Sequence, residues 1–215
     1  MRLDAYEKFM DRLMSGELKP GQFVTQRELA KLAGVPLGAA REAIQRLEYE
    51  SLLRVYPQRG IQVAEANTGL IRAAYGLRLM IEKEAVGHFA LNAPRPEIDR
   101  LIEATRGVID RAAETITAQL QVQAVEIDWH THDVMVDSLD NELIAEAYRI
   151  NAVRIRLMRG IGNRLPPKRL VPALTEHLDI LQACRDRNSE RAVAEMTRHV
   201  QKSLSYNFDP SFTSP

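Results

Sequence analysis

From residue 67 to residue 205 the apolar positions of this chain recur every third or fourth residue. They form six runs: Ile71 to Leu91, Ile98 to Ile109, Leu120 to Met135, Ile144 to Met158, Leu170 to Cys184 and Ala192 to Leu204. That period puts side chains on one face of an α-helix, and strand-like alternation is missing from the whole stretch. Breaks fall at Ala93-Pro94-Arg95-Pro96, at Asp140-Asn141, across 160–167 and at Arg187 to Ser189. A chain written this way can bury its apolar stripes only by packing helices together, so residues 67–205 are expected to form an all-α six-helix bundle. The end of the chain, 206–215, contains Asp209-Pro210 and closes on Ser214-Pro215, which reads as a flexible tail.

Residues 1–66 follow a different grammar. An amphipathic helix built on Tyr6, Phe9, Met10 and Leu13 is stopped by Ser15-Gly16 and Pro20-Gly21. Thr25 then caps a short helix, Gln26 to Ala33, with Glu28 at the position a capping box requires, and Gly34 ends it. After Val35-Pro36 a third helix runs from Leu37 to Glu50. It turns Ala40, Ala43, Ile44 and Leu47 inward and Arg41, Gln45 and Glu48 outward. Two β-rich pieces, Leu52 to Tyr56 and Ile61 to Ala64, flank Pro57-Gln58-Arg59-Gly60 and predict a hairpin with a basic tip. Helix, tight turn, helix and a two-stranded wing is a DNA-binding arrangement, with the second helix of the pair in the major groove and the wing on the backbone or minor groove. The alternative is a small three-helix domain without that role. The fold class expected for the whole is mostly α, an N-terminal winged helix-turn-helix over 1–66 followed by the helical domain over 67–205.

Gross charge gives this reading little help. Twenty-nine Lys and Arg balance twenty-nine Asp and Glu, and residues 1–66 hold ten against nine. Nucleic-acid binding would therefore rest on the placement of individual basic residues. The single cysteine, Cys184, excludes an internal disulfide and suits a reducing compartment. The start of the chain lacks the apolar segment of a signal peptide, and no uncharged apolar run approaches 18 residues. The expectation is a soluble cytoplasmic protein without a membrane partner.

Four residues of the helical half have a spacing suited to a metal. Asp128 and His132 are four apart and share a helix face. His177 and His199 are twenty-two apart, which suits two antiparallel helices turning near Arg187 and Asn188. Each lies about ten residues, or roughly 15 Å of helix, from that turn, so the two come level. A lone histidine on an apolar face is usually a core residue; three with a carboxylate in matching register favour a metal site. Imidazole and carboxylate suit Zn, Ni, Mn or Fe alike, so the divalent transition metal is not identified. His130 points away from this face, and His88 reads as structural or exposed.

The sequence resembles the GntR superfamily of bacterial winged-helix regulators, in the FadR-type branch with an FCD ligand-binding domain. The resemblance lies in Met14-Ser-Gly-Glu-Leu-Lys-Pro-Gly21, Arg27-Glu-Leu-Ala30, Gly34-Val35, Arg41-Glu-Ala-Ile44, Leu47-Glu48, Leu52-Leu53 and Arg59-Gly60. Asp128-Trp-His-Thr-His132 with Asn141-Glu-Leu143, then His177 and His199, extend it across the second half. It implies DNA contacts by Arg27, Arg41 and the wing glycine Gly60, to which the outward Gln45 and the tip residue Arg59 are natural additions. One stretch departs from the family pattern: Pro36-Leu37-Gly38-Ala39-Ala40-Arg41 stands where relatives read Ser-Arg-Thr-Pro-Val-Arg. Leu37 replaces a base-reading arginine, so the operator is expected to differ from the commonest type.

The resemblance also implies a sensor of small acids, in which an effector carboxylate ligates the metal. Arg78 is similar to the arginine that relatives use for the anion, although an ordinary surface pair with Glu82 would explain it too. Asn151 and Arg154 are further effector candidates. The expected function is a homodimeric, ligand-responsive transcription regulator, a repressor, bound to a palindromic double-stranded DNA operator and answering to a small organic or sugar acid. The alternatives are a metal-responsive regulator and a metal-dependent hydrolase; with a reading head attached, the expectation is that the chain is no enzyme.

Overall fold

The structure, a computed structural model, describes residues 2–65, 67–159 and 165–206. The chain divides into two compact units, residues 1–71 with 153–163 and residues 72–152 with 164–215.

In the first unit, α1 (Arg2–Met14), α2 (Gln26–Ala33) and α3 (Leu37–Tyr49) surround an apolar centre of Phe9, Leu13, Leu29, Ile44 and Leu47. The capping box of α2 is complete: Glu28 N–H donates to Thr25 Oγ1 and Thr25 N–H to Glu28 Oε2. Gly34 closes the same helix at φ 62°, sending its N–H to the carbonyls of Ala30 and Lys31. A left-handed residue there is what glycine supplies without steric cost.

The wing is larger than the sequence predicts. Strands β2 (Leu53–Tyr56) and β3 (Gly60–Val63) form the expected hairpin, and a third strand, β1 (Phe23–Val24), joins it in the antiparallel order β1-β3-β2. Two residues carry too little alternation to announce a strand. The hairpin turn has Pro57 and then Gln58 at φ 62°, closed by Arg59 N–H to the Tyr56 carbonyl. Gly60, at φ 103°, has an internal reason to be glycine, since a Cβ there would stand 2.9 Å from the Val24 carbonyl oxygen.

The second unit is helical among its described residues: α4 (Thr68–Asn92) from residue 72, α5 (Arg95–Glu114), α6 (Ala118–Asp137), α7 (Glu142–Arg159) as far as residue 152, α8 (Pro167–Arg185) and α9 (Ser189–Tyr206). Helix α8 packs on α5, α6 and α9. The turn into α9 has Arg187 at φ 58°, and Asn188 caps the new helix by accepting from Arg191 N–H. The Arg187 guanidinium reaches the carbonyls of Ala90 and Ala93 at 3.0 and 2.7 Å, satisfying the end of α4. Apart from Tyr206, which ends α9, the expected tail lies outside the described residues, as does most of the 160–167 break. No described helix is long and apolar enough to cross a membrane.

Candidate functional site

Three helices of the second unit converge on one point. α6 contributes Asp128 and His132 from successive turns, α8 contributes His177 and α9 contributes His199, all four buried. One ligand-type atom of each lies within 4.8 Å of the other three. His177 Nε2 is 3.2 Å from Asp128 Oδ1 and 3.3 Å from His199 Nε2. The His132 ring centre is 4.8 Å from that of His177 and 5.2 Å from that of His199.

A carboxylate outside this group orients one of its imidazoles. Glu176 Oε2 is 2.8 Å from His199 Nδ1. A neutral His199 donates its proton there, which turns the Nε2 lone pair toward the cluster. Glu176 is itself gripped by Arg169, whose Nη1 and Nη2 donate to its two oxygens at 2.8 and 2.7 Å. Lys202 approaches Oε1 at 3.3 Å, and the Arg169 guanidinium lies over the Tyr206 ring. Burial pushes the Glu176 carboxyl up, but the hydrogen bonds from Arg169 and His199 more than reverse this and hold it well below the carboxylate range.

On the opposite side Arg78 and Glu82 of α4 pair at 2.7 Å, each side chain 1% exposed. Glu82 Oε1 also accepts from Tyr148, and Arg78 Nη2 is 2.7 Å from His132 Nε2. His132 Nδ1 and Glu82 Oε2 are 3.3 Å apart, without the alignment of a hydrogen bond and without another partner among the described residues. Burial opposes both charges, yet the guanidinium and His132 hold the Glu82 carboxyl low while Glu82 raises Arg78 above its ordinary value. The Arg78–Glu82 pair thus exists as the i,i+4 spacing suggests, but in the interior, next to the cluster, rather than on the surface.

Burial pulls the His177 and His199 imidazoles down to about 4, and lowers His132 as well. Neutral imidazoles and one carboxylate are the donor set that a divalent cation takes. Ligand atoms around one ion, with bonds of about 2.1 Å, stand roughly 3 to 4 Å apart. The cluster fits such an ion once its longest separation, within 4.8 Å, closes by about 1 to 2 Å.

The other expected site residues are placed as follows. Asn151 is buried and donates to the Ala74 carbonyl at 2.8 Å. Arg154 belongs to the first unit, where its Nε and Nη2 both donate to the Glu50 carbonyl at 2.9 and 2.6 Å. His130 is exposed, and the half-buried His88 meets Ser138. In the first unit Arg27, Arg41, Gln45 and Arg59 are all exposed, on α2, α3 and the wing. Arg59 lies over the Phe23 ring and Arg54 over the Tyr56 ring, while the two rings sit 5.7 Å apart. Sequence reading did not assign roles to Tyr148 or Arg169. It read Glu82 as a surface partner of Arg78, four residues before it, and gave no role to Glu176, which lies seven residues after Arg169.

Comparison with known proteins agrees with this architecture. The FCD domain family matches residues 73–202, and the family of bacterial regulatory proteins named gntR matches residues 2–63. The chain is 29% identical over 195 residues to the Nta operon transcriptional regulator of Aminobacter aminovorans, spanning 88% of this chain and 86% of the relative. It is 25% identical to the HTH-type transcriptional repressor RspR of Escherichia coli strain K12, over 86% of this chain and 79% of the relative. A GntR regulator structure from Rhodococcus sp. RHA1 superposes with a TM-score of 0.76 at 18% identity, over 96% of this chain and 97% of that one.

Proposed function

We infer that this chain, which belongs to the GntR-family regulators with an FCD domain, is a metal-dependent sensor of a small organic or sugar acid that represses transcription from a palindromic operator as a homodimer. The observation that carries the reading is the buried Asp128, His132, His177 and His199 cluster, present in one chain with a helix, α3, that exposes Arg41 and Gln45. Residues 1–66 would read DNA and residues 67–205 would sense.

Asp128 and the three imidazoles would hold a divalent transition metal such as Zn, Ni, Mn or Fe, which when bound supplies a Lewis-acidic position for a carboxylate. Arg78, at the border of the cluster, is the cation suited to the acid's other end. An effector can change DNA affinity only through its different affinity for DNA-competent and DNA-incompetent states. A helix-turn-helix dimer matches a twofold-related operator. The repressor assignment is supported by RspR, named as a repressor.

One set of measurements separates the readings. Purified protein is screened by thermal shift against organic and sugar acids with and without metal, and its DNA affinity is followed by gel shift under each condition. An acid that stabilises only metal-loaded protein and weakens its DNA binding is the expected result. DNA binding that follows metal with no acid response would make the protein a metal sensor, and hydrolysis of esters or amides would make it an enzyme.

Two substitutions probe the parts. Arg41→Ala is expected to weaken operator binding by roughly tenfold or more while the thermal midpoint stays put, because a base or phosphate contact of an exposed arginine is worth about 1 to 3 kcal/mol. Unchanged affinity in a gel-shift titration would remove α3 from the interface. Glu176→Gln keeps the size of the side chain but loses the carboxylate that orients His199, so metal affinity measured by competition with a chelator is expected to fall by roughly 10-fold to 100-fold. An unaltered affinity would mean that His199 needs no such partner.

A further inference from the structure

The first turn of α3 has two features for which the first unit gives no internal reason. Leu37 is 49% exposed. Its main chain is nevertheless fixed, since its carbonyl accepts from Gln26 Nε2 at 3.0 Å. An apolar side chain is thus held toward solvent at a set position, at the start of a helix that buries Ile44 and Leu47 and exposes Tyr49 at its opposite end, about three turns away from Leu37.

Gly38 follows it. A Cβ added there would meet nothing within 4 Å, and Gly38 is not among the residues at positive φ. Glycine inside a helix is less favourable than alanine. Packing and backbone geometry explain Gly34 and Gly60, but neither explains Gly38. Arg41 and Gln45, one and two turns further on, continue the same exposed stripe. A short apolar, side-chain-poor end therefore leads directly into a cation and an amide.

Resting on the reading of α3 as the recognition helix, we propose that Leu37 and Gly38 set operator specificity: Leu37 packs on the C5-methyl of a thymine, and Gly38 lets the α3 main chain come close to the base edges. The thymine methyl is the apolar group that base edges present in the major groove, and leucine has no donor with which to read guanine. Arg41 beside it supplies the positive charge that the DNA face requires. Each half-site accordingly carries an A·T pair under Leu37, adjacent to the base pairs within reach of Arg41.

The test uses the full-length protein and a pool of random-sequence DNA duplexes. After selection, each thymine of the enriched site is replaced in turn by deoxyuridine, which removes only the methyl group. One such replacement per half-site is expected to weaken wild-type binding by roughly fourfold, the factor that corresponds to one buried methyl. The same replacement leaves Leu37→Ala unaffected. A fresh selection with Leu37→Arg is expected to change that position to G·C. Gly38→Ala is expected to raise the thermal midpoint by a few degrees while weakening operator binding by roughly tenfold. Deoxyuridine without effect at every position, or a Leu37→Arg protein that selects the wild-type sequence, overturns the thymine contact. Undiminished binding by Gly38→Ala overturns the close approach. A wild-type protein that enriches no duplex at all would instead refute the recognition-helix reading on which the proposal stands.

Discussion

Glu82→Ala is expected to destabilise the helical unit by about 3 to 5 kcal/mol, the range for removing one partner of a buried ion pair. Arg78 is the reason. Its guanidinium is 1% exposed and spends Nε on Glu82 Oε1 at 2.7 Å. Without the carboxylate the cation stays in the interior with no compensating charge on α4, and the Tyr148 hydroxyl loses its acceptor in the same step. Stability measured by urea denaturation, followed through helical signal, checks this. A change below about 1 kcal/mol would mean that water reaches the pair and screens it.

The companion experiment distinguishes the pair's contribution from the penalty of breaking it. Arg78→Met combined with Glu82→Leu removes both charges and keeps apolar volume, and such replacements are often neutral or stabilising. The double variant is therefore expected to recover most of the stability lost by Glu82→Ala. It is also expected to lose the response to organic acids, because Arg78 borders the cluster through His132 Nε2 at 2.7 Å. Recovery of stability without loss of the response would separate Arg78 from effector binding.

Arg78 also shows where sequence stops being informative. Arg and Glu four apart on a helix look the same whether the face is wet or buried, because the pattern specifies a shared face and nothing about what covers it. Periodicity made the six bundle helices legible, and the i,i+4 and antiparallel spacings picked out Asp128, His132, His177 and His199, which the fold brings within 4.8 Å. The orienting carboxylate Glu176 was less legible. Its tie to Arg169 spans seven residues and its contact with His199 spans two helices. Gly60, for which the resemblance implies a DNA contact, also has a reason within the chain that the sequence does not display: its notional Cβ would stand 2.9 Å from the Val24 carbonyl oxygen. Strand β1 escaped notice because two residues cannot display a period.

A saturating divalent transition metal is expected to stabilise the protein near pH 7.5 by about 3 kcal/mol at a hundredfold excess over its dissociation constant. It is expected to add nothing to His177→Ala/His199→Ala. The pH dependence follows from the same imidazoles. His177 and His199 lie near 4 in the folded chain, against about 6.5 for a free imidazole. The unfolded chain therefore takes up protons first as pH falls, so this contribution is complete above about pH 6.5 and is lost between there and about pH 4. For two such groups the metal-free protein loses up to roughly 2 to 3 kcal/mol per pH unit within that window. Protonation also removes the lone pairs that bind metal, so the loaded protein must release its ion as it acidifies. Thermal melts across pH 4 to 7.5, with bound metal counted by mass spectrometry, read both effects. Stoichiometric metal in the double histidine variant, or metal-free melts that do not change below pH 6.5, would mean that these imidazoles are neither the ligands nor buried as neutral groups.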